Sequence, residues 1–228
     1  KPHMKNTILS AAALTLVASQ AGWAGVSTMA GPYTGVISSV KSESTGTVTV
    51  KYRRPEQKAW ETPPPMPMDG DCAFTWDSAK ADSVDFDCKI NLGTFSTDTH
   101  AKVAFMNIKS IQTFYDLVQH VKGTAKWDAA TKTLTYSDRP DPKDDKRRDD
   151  GRASTASASK DPICEESDSM ACKAFYKTSL PLEGLVMNLT FGGDLSSYSG
   201  KMTMIQHGGS GMEKASTDIV ADIKGTAA

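Results

Sequence analysis

Alternation of apolar and polar residues, rather than a helical period, dominates this chain. The clearest run extends from Val84 to Leu92, where every second residue is apolar and the residues between are Asp, Lys or Asn. Such a period of two indicates a β-strand with one buried face. A similar alternation runs from Cys72 to Trp76, and a loop from Asp77 to Ser83 separates the two runs. Together they predict an antiparallel hairpin.

The cysteines fit this hairpin. Its register places Cys72 directly opposite Cys88, and opposed side chains have Cβ atoms about 4.5–5.5 Å apart, close to what a disulfide requires. We therefore predict a Cys72–Cys88 disulfide and, by elimination, a second one between Cys164 and Cys172. A four-thiolate zinc site is the weaker alternative, because such sites use closely spaced cysteine pairs.

The remaining pattern predicts about nine or ten short strands separated by turn residues, with no βαβ alternation. This favours one all-β domain over residues 25–228, an antiparallel β-sandwich with a β-barrel as the alternative. The other predicted strands are Tyr33–Val40, Thr47–Tyr52, Lys102–Ile108, Gly123–Trp127 paired with Thr131–Tyr136, Leu185–Phe191, and Tyr198–Gln206 paired with Thr217–Lys224.

Three segments depart from the strand pattern. Residues Arg53–Gly70 contain five prolines and predict a crossing loop, since proline is excluded from helices and central strands. Residues 138–161 are charged and Ser/Ala-rich without a large apolar side chain, which predicts a mobile surface loop. Residues 111–121 fit both a short amphipathic helix and an alternating strand; the strand is favoured because its surroundings are β.

The first 24 residues are predicted to be a targeting segment rather than part of the folded domain. Lys1-Pro2-His3 are interpreted as a cloning remnant, and Met4-Lys5 precede an uncharged apolar run from Ile8 to Ala18. A charged start, a short apolar stretch and small residues before Ala24 are typical of a secretory signal peptide. The alternative is a buried N-terminal helix or an uncleaved anchor. The mature chain is expected to contain no transmembrane segment.

Charge and composition narrow the function classes. The 228 residues include 26 Lys and Arg against 27 Asp and Glu, a formal net charge of −1. Nucleic-acid binding is not expected, because neutralising phosphates needs a clustered excess of cations. The even cysteine count agrees with an oxidising compartment, so we expect a secreted protein, extracellular, on the cell surface or in the periplasm of a bacterium.

No catalytic residue is predicted. The mature chain has three histidines, His100, His120 and His207, and the nearest nucleophile motif, Gly208-Gly209-Ser210-Gly211-Met212, lacks the final glycine of G-x-S-x-G. The chain is therefore expected to be non-enzymatic. A hydrolase whose residues are scattered along the sequence remains an alternative.

Ligand and metal candidates are few. Trp60 lies in the proline-rich loop near Tyr52, and it is the best candidate for an aromatic ring that contacts a glycan or a protein partner. Alternatively, Trp60 has a structural role and covers the end of the sheet. No cofactor is expected, and calcium is the weak metal candidate, at acidic residues that do not follow the EF-hand spacing. These residues are Asp69, Asp71, Asp141, Asp144 and Asp145.

The leading functional hypothesis is a structural, adhesive or protein-binding role. An exported, strand-rich chain can add a partner's strand, or a copy of its own, to an open sheet edge. The alternative is a small-ligand binder, for a glycan at Trp60 or a lipid inside a barrel.

Overall fold

The computed structural model describes residues 25–43, 47–62, 65–103, 106–139, 153–159, 163–166, 182–208 and 215–228. Within these ranges the ordered elements are strands, and no helix is present. The strands are β1 (Val26–Glu43), β2 (Thr47–Arg53), β3 (Met66–Asp77), β4 (Ser83–Val103), β5 (Met106–Asp128), β6 (Thr133–Asp138), β7 (Ala153–Ser157), β8 (Ile163–Glu166), β9 (Gly184–Phe191), β10 (Ser197–Gly208) and β11 (Ala215–Thr226).

Eight of the strands form a closed antiparallel ring. The order is β3–β1–β11–β10–β9–β6–β5–β4, and β4 pairs again with β3. The ring is complete because β4 and β5 pair along almost their whole length, while β5 and β6 pair over three residues from Lys126 to Asp128. The predicted all-β antiparallel fold is confirmed, and the pairing follows its barrel-like alternative.

The core fills the inside of this ring. The inward residues of β4 and β5 alternate as the sequence predicts, with Phe86, Cys88, Ile90 and Val121 almost completely buried. Five aromatic rings close the end of the ring that carries the β3–β4, β5–β6 and β9–β10 turns. They are Phe74, Trp76, Trp127, Phe191 and Tyr198, with centroids 5.1–6.3 Å apart and mostly edge-to-face contacts.

The predicted β3–β4 hairpin and its disulfide are confirmed. Trp76 pairs with Val84, Phe74 with Phe86, and Cys72 with Cys88. The two sulfurs are bonded and the Cα atoms lie 4.2 Å apart. Both cysteines are buried within the ring. The predicted Cys164–Cys172 pair lies outside the described residues, because Cys172 and the side chain of Cys164 are not described.

Two further predicted hairpins and one predicted strand are also confirmed. Strands β5 and β6 meet around a turn at residues 129–132, and β10 pairs with β11 from Ser197–Thr226 to Gly208–Ala215. Strand β9 covers the predicted run Leu185–Phe191.

Around the β4–β5 hairpin one prediction is wrong and one is confirmed. Residues 102–108, expected to form one strand, contain the end of β4 and the start of β5, with Val103 opposite Met106. Apolar residues on both sides of a tight turn resemble one continuous apolar strand. Residues 111–121 lie in β5, so the helical alternative is wrong and the favoured strand is confirmed. The helical spacing arises because a bulge at Asp116 interrupts the alternation.

Two predicted loops contain strand residues. Strand β3 begins at Met66, within Arg53–Gly70. Pro67 is tolerated because β3 pairs with β1 at this point, whereas its pairing with β4 begins at Asp69, so one side of Pro67 is a strand edge. Strand β7 lies within 138–161 and pairs with residues 118–122 of β5. The sequence pattern did not indicate β7, because its residues are all small and give no alternation of apolar and polar side chains. The strand forms through backbone pairing with the edge of β5.

Candidate binding surface

The β4–β5 hairpin leaves the ring at a pair of irregular positions. The register shifts on both sides of Gly93, and Gly93 and Asp116 both have positive φ, 63° and 47°. The Thr94 hydroxyl donates to the Asp116 carboxylate at 2.9 Å and accepts the Asp116 amide N–H at 3.1 Å. Bulges bend a strand pair and increase its twist. The hairpin therefore bends at this point.

Arg54 holds this junction against the rest of the molecule. Its Nη1 donates to the carbonyl oxygens of Leu92 at 2.6 Å and Thr94 at 3.1 Å, and its Nη2 donates to the carbonyl of Pro67. Burial lowers the pKa of the Arg54 guanidinium, opposed by nearby carboxylates. A side chain at Gly93 would place its Cβ 2.8 Å from Arg54 Nη1, so the clamp requires glycine there.

Beyond the junction lies a small sheet that we call the wing. It consists of β2, residues 94–103 of β4, residues 106–116 of β5, and β8, in the order β2–β4–β5–β8. The Phe95 and Phe114 rings stack at 5.1 Å between centroids. The hydroxyls of Ser96 and Thr113 are hydrogen bonded at 2.8 Å. These cross-strand contacts stabilise the wing, and Val50, Phe95 and Phe114 also pack against the main core cluster, to which Tyr52 of β2 belongs.

Strand β2 forms one edge of the wing. It pairs with residues 96–102 of β4 on one side. On its other side the described residues contribute one bridge, in which the Tyr52 N–H and C=O bond to the backbone of Glu61 at 3.1 and 3.0 Å. Backbone groups alternate in direction along a strand. The N–H and C=O of Val48 and Val50 therefore face the same side as those of Tyr52.

The two outer strands of the wing carry opposite charge. Strand β2 contains Lys51 and Arg53 and no acid, whereas β8 contains Glu165 and Glu166 and no base. Between them, Asp98 is buried and its Oδ1 lies 2.9 Å from His100 Nε2, with Lys51 opposite Asp98 in the register. Strand β2 therefore carries a net positive charge, with the Arg53 guanidinium packed over the Trp60 ring.

The predicted ligand residues, Tyr52 and Trp60, are placed differently by the structure. Tyr52 is buried, and this burial raises the pKa of its phenol. Trp60 is half-buried, and the Arg53 guanidinium lies over its ring at 4.5 Å from the centroid. The cation occupies one ring face in a cation–π contact. The two aromatics therefore do not form a shared exposed platform.

The calcium candidates Asp69 and Asp71 face outward from β3, opposite Asn91 and Lys89 of β4. No group of three His, Cys, Asp or Glu side chains suited to a metal occurs among the described residues. The other candidates, Asp141, Asp144 and Asp145, lie outside them.

Sequence reasoning missed an ionic network on the outer face of the ring. Asp87 Oδ1 lies 2.6 Å from His120 Nε2, and Asp87 Oδ2 lies 2.7 Å from Lys122 Nζ. Partial burial opposes ionisation of Asp87, but hydrogen bonds from Lys122 and His120 outweigh it and lower the pKa of this carboxyl. Alternation indicated that Asp87 faces outward. Its partners depend on the β4–β5 register, which the misplaced turn concealed.

Two shallow depressions also lie on the outside of the ring. One, of about 620 Å³, is lined by the core aromatics Tyr33, Phe191 and Tyr198 together with polar side chains that include Thr34 and Lys224. The other, of about 360 Å³, lies between Asp85, Asp87, Lys122 and Thr124. Since the inward positions are filled by side chains, these concavities belong to the surface.

Comparison with protein-family models, curated proteins and solved structures found no match for this chain. Among the described residues no helix is long and apolar enough to cross a membrane. The geometry of the wing is therefore the basis for a functional assignment.

Proposed function

We propose that this protein is an exported, non-enzymatic binding protein that captures extended polypeptide segments by strand addition at the open edge of β2. The single observation that carries this proposal is the edge itself. Val48 and Val50 direct backbone donors and acceptors away from β4, while the described pairing on that side ends at Tyr52. Such a row of groups is a template for another strand.

The placement of this edge supports a role in protein binding. The bulges at Gly93 and Asp116 bend the β4–β5 hairpin where the wing begins, and Arg54 holds this junction. A partner can approach β2 without opening the packed core. By contrast, the interior is filled by buried side chains, so the surface is the better supported binding region.

The buried disulfide supports a site of action outside the cytoplasm. Cys72 and Cys88 form an intramolecular bond in the core, and such bonds persist in oxidising compartments. We therefore infer that the protein acts in the periplasm, at the cell surface or in the medium, in a structural or adhesive role.

The proposal is tested by removing one outward-facing N–H from the edge. Val50→Pro removes the N–H that faces outward, a position where an edge strand tolerates proline. Val50→Thr keeps that N–H and serves as the matched control. A random peptide display library is selected on the wild-type protein, and enriched peptides are measured against both variants. Peptides should bind wild type and Val50→Thr, and bind Val50→Pro at least about tenfold more weakly.

The opposite result would overturn the proposal. It fails if selection enriches no peptide, or if every enriched peptide binds Val50→Pro as well as wild type. Far-UV circular dichroism and a urea midpoint for Val50→Pro establish that the variant is folded. Hydrogen exchange at Val48 and Val50 gives a second readout, because strand addition should slow exchange at both amides when peptide is bound.

A further inference from the structure

We propose that the segment captured by β2 is β8 of a second copy of this chain, so that wings join edge to edge into an open-ended assembly. This inference rests on the proposed function, since it uses the same open edge. It adds the identity of the partner and the symmetry of the complex.

Strand direction makes the two wing edges compatible. Strand β4 is antiparallel to β2, β5 is antiparallel to β4, and β8 is antiparallel to β5. Directions therefore alternate across the four strands. If a second wing is placed beside the first in the same orientation, its β2 runs antiparallel to β8 of the first wing. The new pair then repeats the antiparallel pattern already present within each wing.

Charge makes the same two edges complementary. The β2 edge contributes Lys51 and Arg53, and β8 contributes Glu165 and Glu166. Within the described residues, β8 pairs with β5 and with no other strand. Opposite charges on adjacent strands stabilise a cross-strand pair, and like charges destabilise it. Pairing β2 with β8 is therefore favoured over pairing β2 with a second β2, which would bring lysines and arginines together.

The geometry leaves room for the ring of each copy. Four strands spaced about 4.8 Å apart give a rise of about 19 Å per copy. The right-handed twist of strands rotates each neighbour by roughly 20–25°, so four strands rotate successive copies by about 80–100°. Since the ring lies at one end of the wing strands, successive rings point in different directions around the assembly axis. The contact is heterologous and does not close on itself, which generates a helical fibre rather than a dimer.

The contact between two copies is small, because β8 has four residues and offers few backbone hydrogen bonds. We therefore expect reversible assembly that grows with protein concentration, as for small interfaces in general. We also expect it to weaken at high salt, since exposed charges separated by more than a few ångströms are then screened.

The test exchanges the charges of the two edges. One variant carries Thr49→Glu and Arg53→Glu, which makes β2 acidic while leaving Lys51 opposite Asp98. The other carries Glu165→Lys and Glu166→Lys, which makes β8 basic. Weight-average mass is measured by sedimentation at protein concentrations up to about 1 mM, because a contact of this size is weak. Wild type should assemble, and each variant alone should assemble at least about tenfold more weakly.

A mixture of the two variants decides the matter. An acidic β2 from one variant faces a basic β8 from the other, and the original β2 and β8 also face each other, so the equimolar mixture should recover assembly. The inference is overturned if wild type stays at the mass of one chain, if each variant alone assembles like wild type, or if the mixture shows no recovery. Urea midpoints and far-UV circular dichroism confirm that both variants are folded.

The outcomes separate this inference from the proposed function. If wild type does not assemble but selected peptides still bind in a Val50-dependent manner, β2 captures the strand of another protein and only the inference fails. If assembly and peptide binding are both unaffected by Val50→Pro, the open edge is not a binding site and both fail.

Discussion

The Tyr33 ring occupies the space that a side chain at Gly70 would need. These two residues are directly paired between β1 and β3, and a Cβ at Gly70 would lie 2.7 Å from both Cε1 and Oη of Tyr33. The phenol reaches past Gly70 to the carbonyl of Lys89 in β4 at 3.3 Å. Burial raises the pKa of the phenol, with lesser contributions from nearby tyrosine and carboxylate groups.

The same relationship recurs elsewhere in the ring. Tyr198 lies over its paired residue Gly225 in β11, and Phe86 lies over its paired residue Gly123 in β5. Aromatic side chains that cover a cross-strand glycine shield its backbone and fix the register of curved sheets. Each large ring thus uses the space beside a residue without a side chain, and this allows a narrow ring of strands to hold several aromatics.

Gly70→Ala is expected to destabilise the protein by about 3 kcal/mol, the upper end of the usual cost of overpacking a core. The added methyl group would collide with both the Tyr33 ring and the backbone of β4. Urea unfolding followed by tryptophan fluorescence measures the change. Gly193→Ala, in the exposed β9–β10 turn, is the control: its Cβ would meet only the Lys132 Nζ, at an ordinary contact distance of 3.7 Å, and the substitution should change stability by less than about 0.5 kcal/mol. Equal effects of the two substitutions would contradict the role of Gly70.

The Cys72–Cys88 disulfide should contribute about 3 kcal/mol, as expected when a loop of this size is closed in the unfolded chain. Its ends are 16 residues apart. Replacing both cysteines with alanine should lower the free energy of unfolding by at least that amount, measured in urea.

Because both cysteines are buried in the ring, a reductant should not reach this disulfide until the protein unfolds. Thiol labelling of the native protein in dithiothreitol, followed by peptide mass spectrometry, should leave Cys72 and Cys88 unlabelled. Addition of urea should make both reactive. Rapid labelling at either position while the fold remains intact would disprove the buried placement.

Asp87 should make the free energy of unfolding depend on pH in the acidic range. Its folded pKa is lowered, because hydrogen bonds from Lys122 and His120 outweigh partial burial. The unfolded chain therefore binds this proton at a higher pH than the folded protein does. The stabilisation is present above the unfolded pKa of about 3.9 and is lost as pH falls through the folded value.

Asp87→Asn should therefore reduce stability at pH 7 and have a smaller effect at pH 3. The difference between the urea midpoints of wild type and variant, measured across this range, reports the contribution of Asp87. High salt at pH 7 should also shrink the difference, since Asp87 is partly exposed and its ion pair with Lys122 is screened. A difference that stays constant from pH 7 to pH 3 would show that Asp87 acts without its charge.

The candidate site shows why the local sequence pattern was insufficient to predict the wing. Alternation correctly placed β2, and it correctly placed the β3–β4 loop between Asp77 and Ser83. It did not place the turn between Val103 and Met106, because the residues on both sides are apolar and no Gly or Pro marks the turn. Without that turn, the length of the β4–β5 hairpin, and hence the wing, could not be derived.

The sequence alone determined the features that depend on near neighbours. A period of two over five or more residues specifies a strand and its buried face, and a short loop between two such runs specifies their register. The pairing of Cys72 with Cys88 therefore follows from the sequence alone. Tertiary structure decided which distant strands meet: the closure of the ring, the network at Asp87, and the edge left open on β2. These depend on backbone hydrogen bonds, which every residue except proline can make in the same way and which therefore leave little mark in the amino-acid sequence.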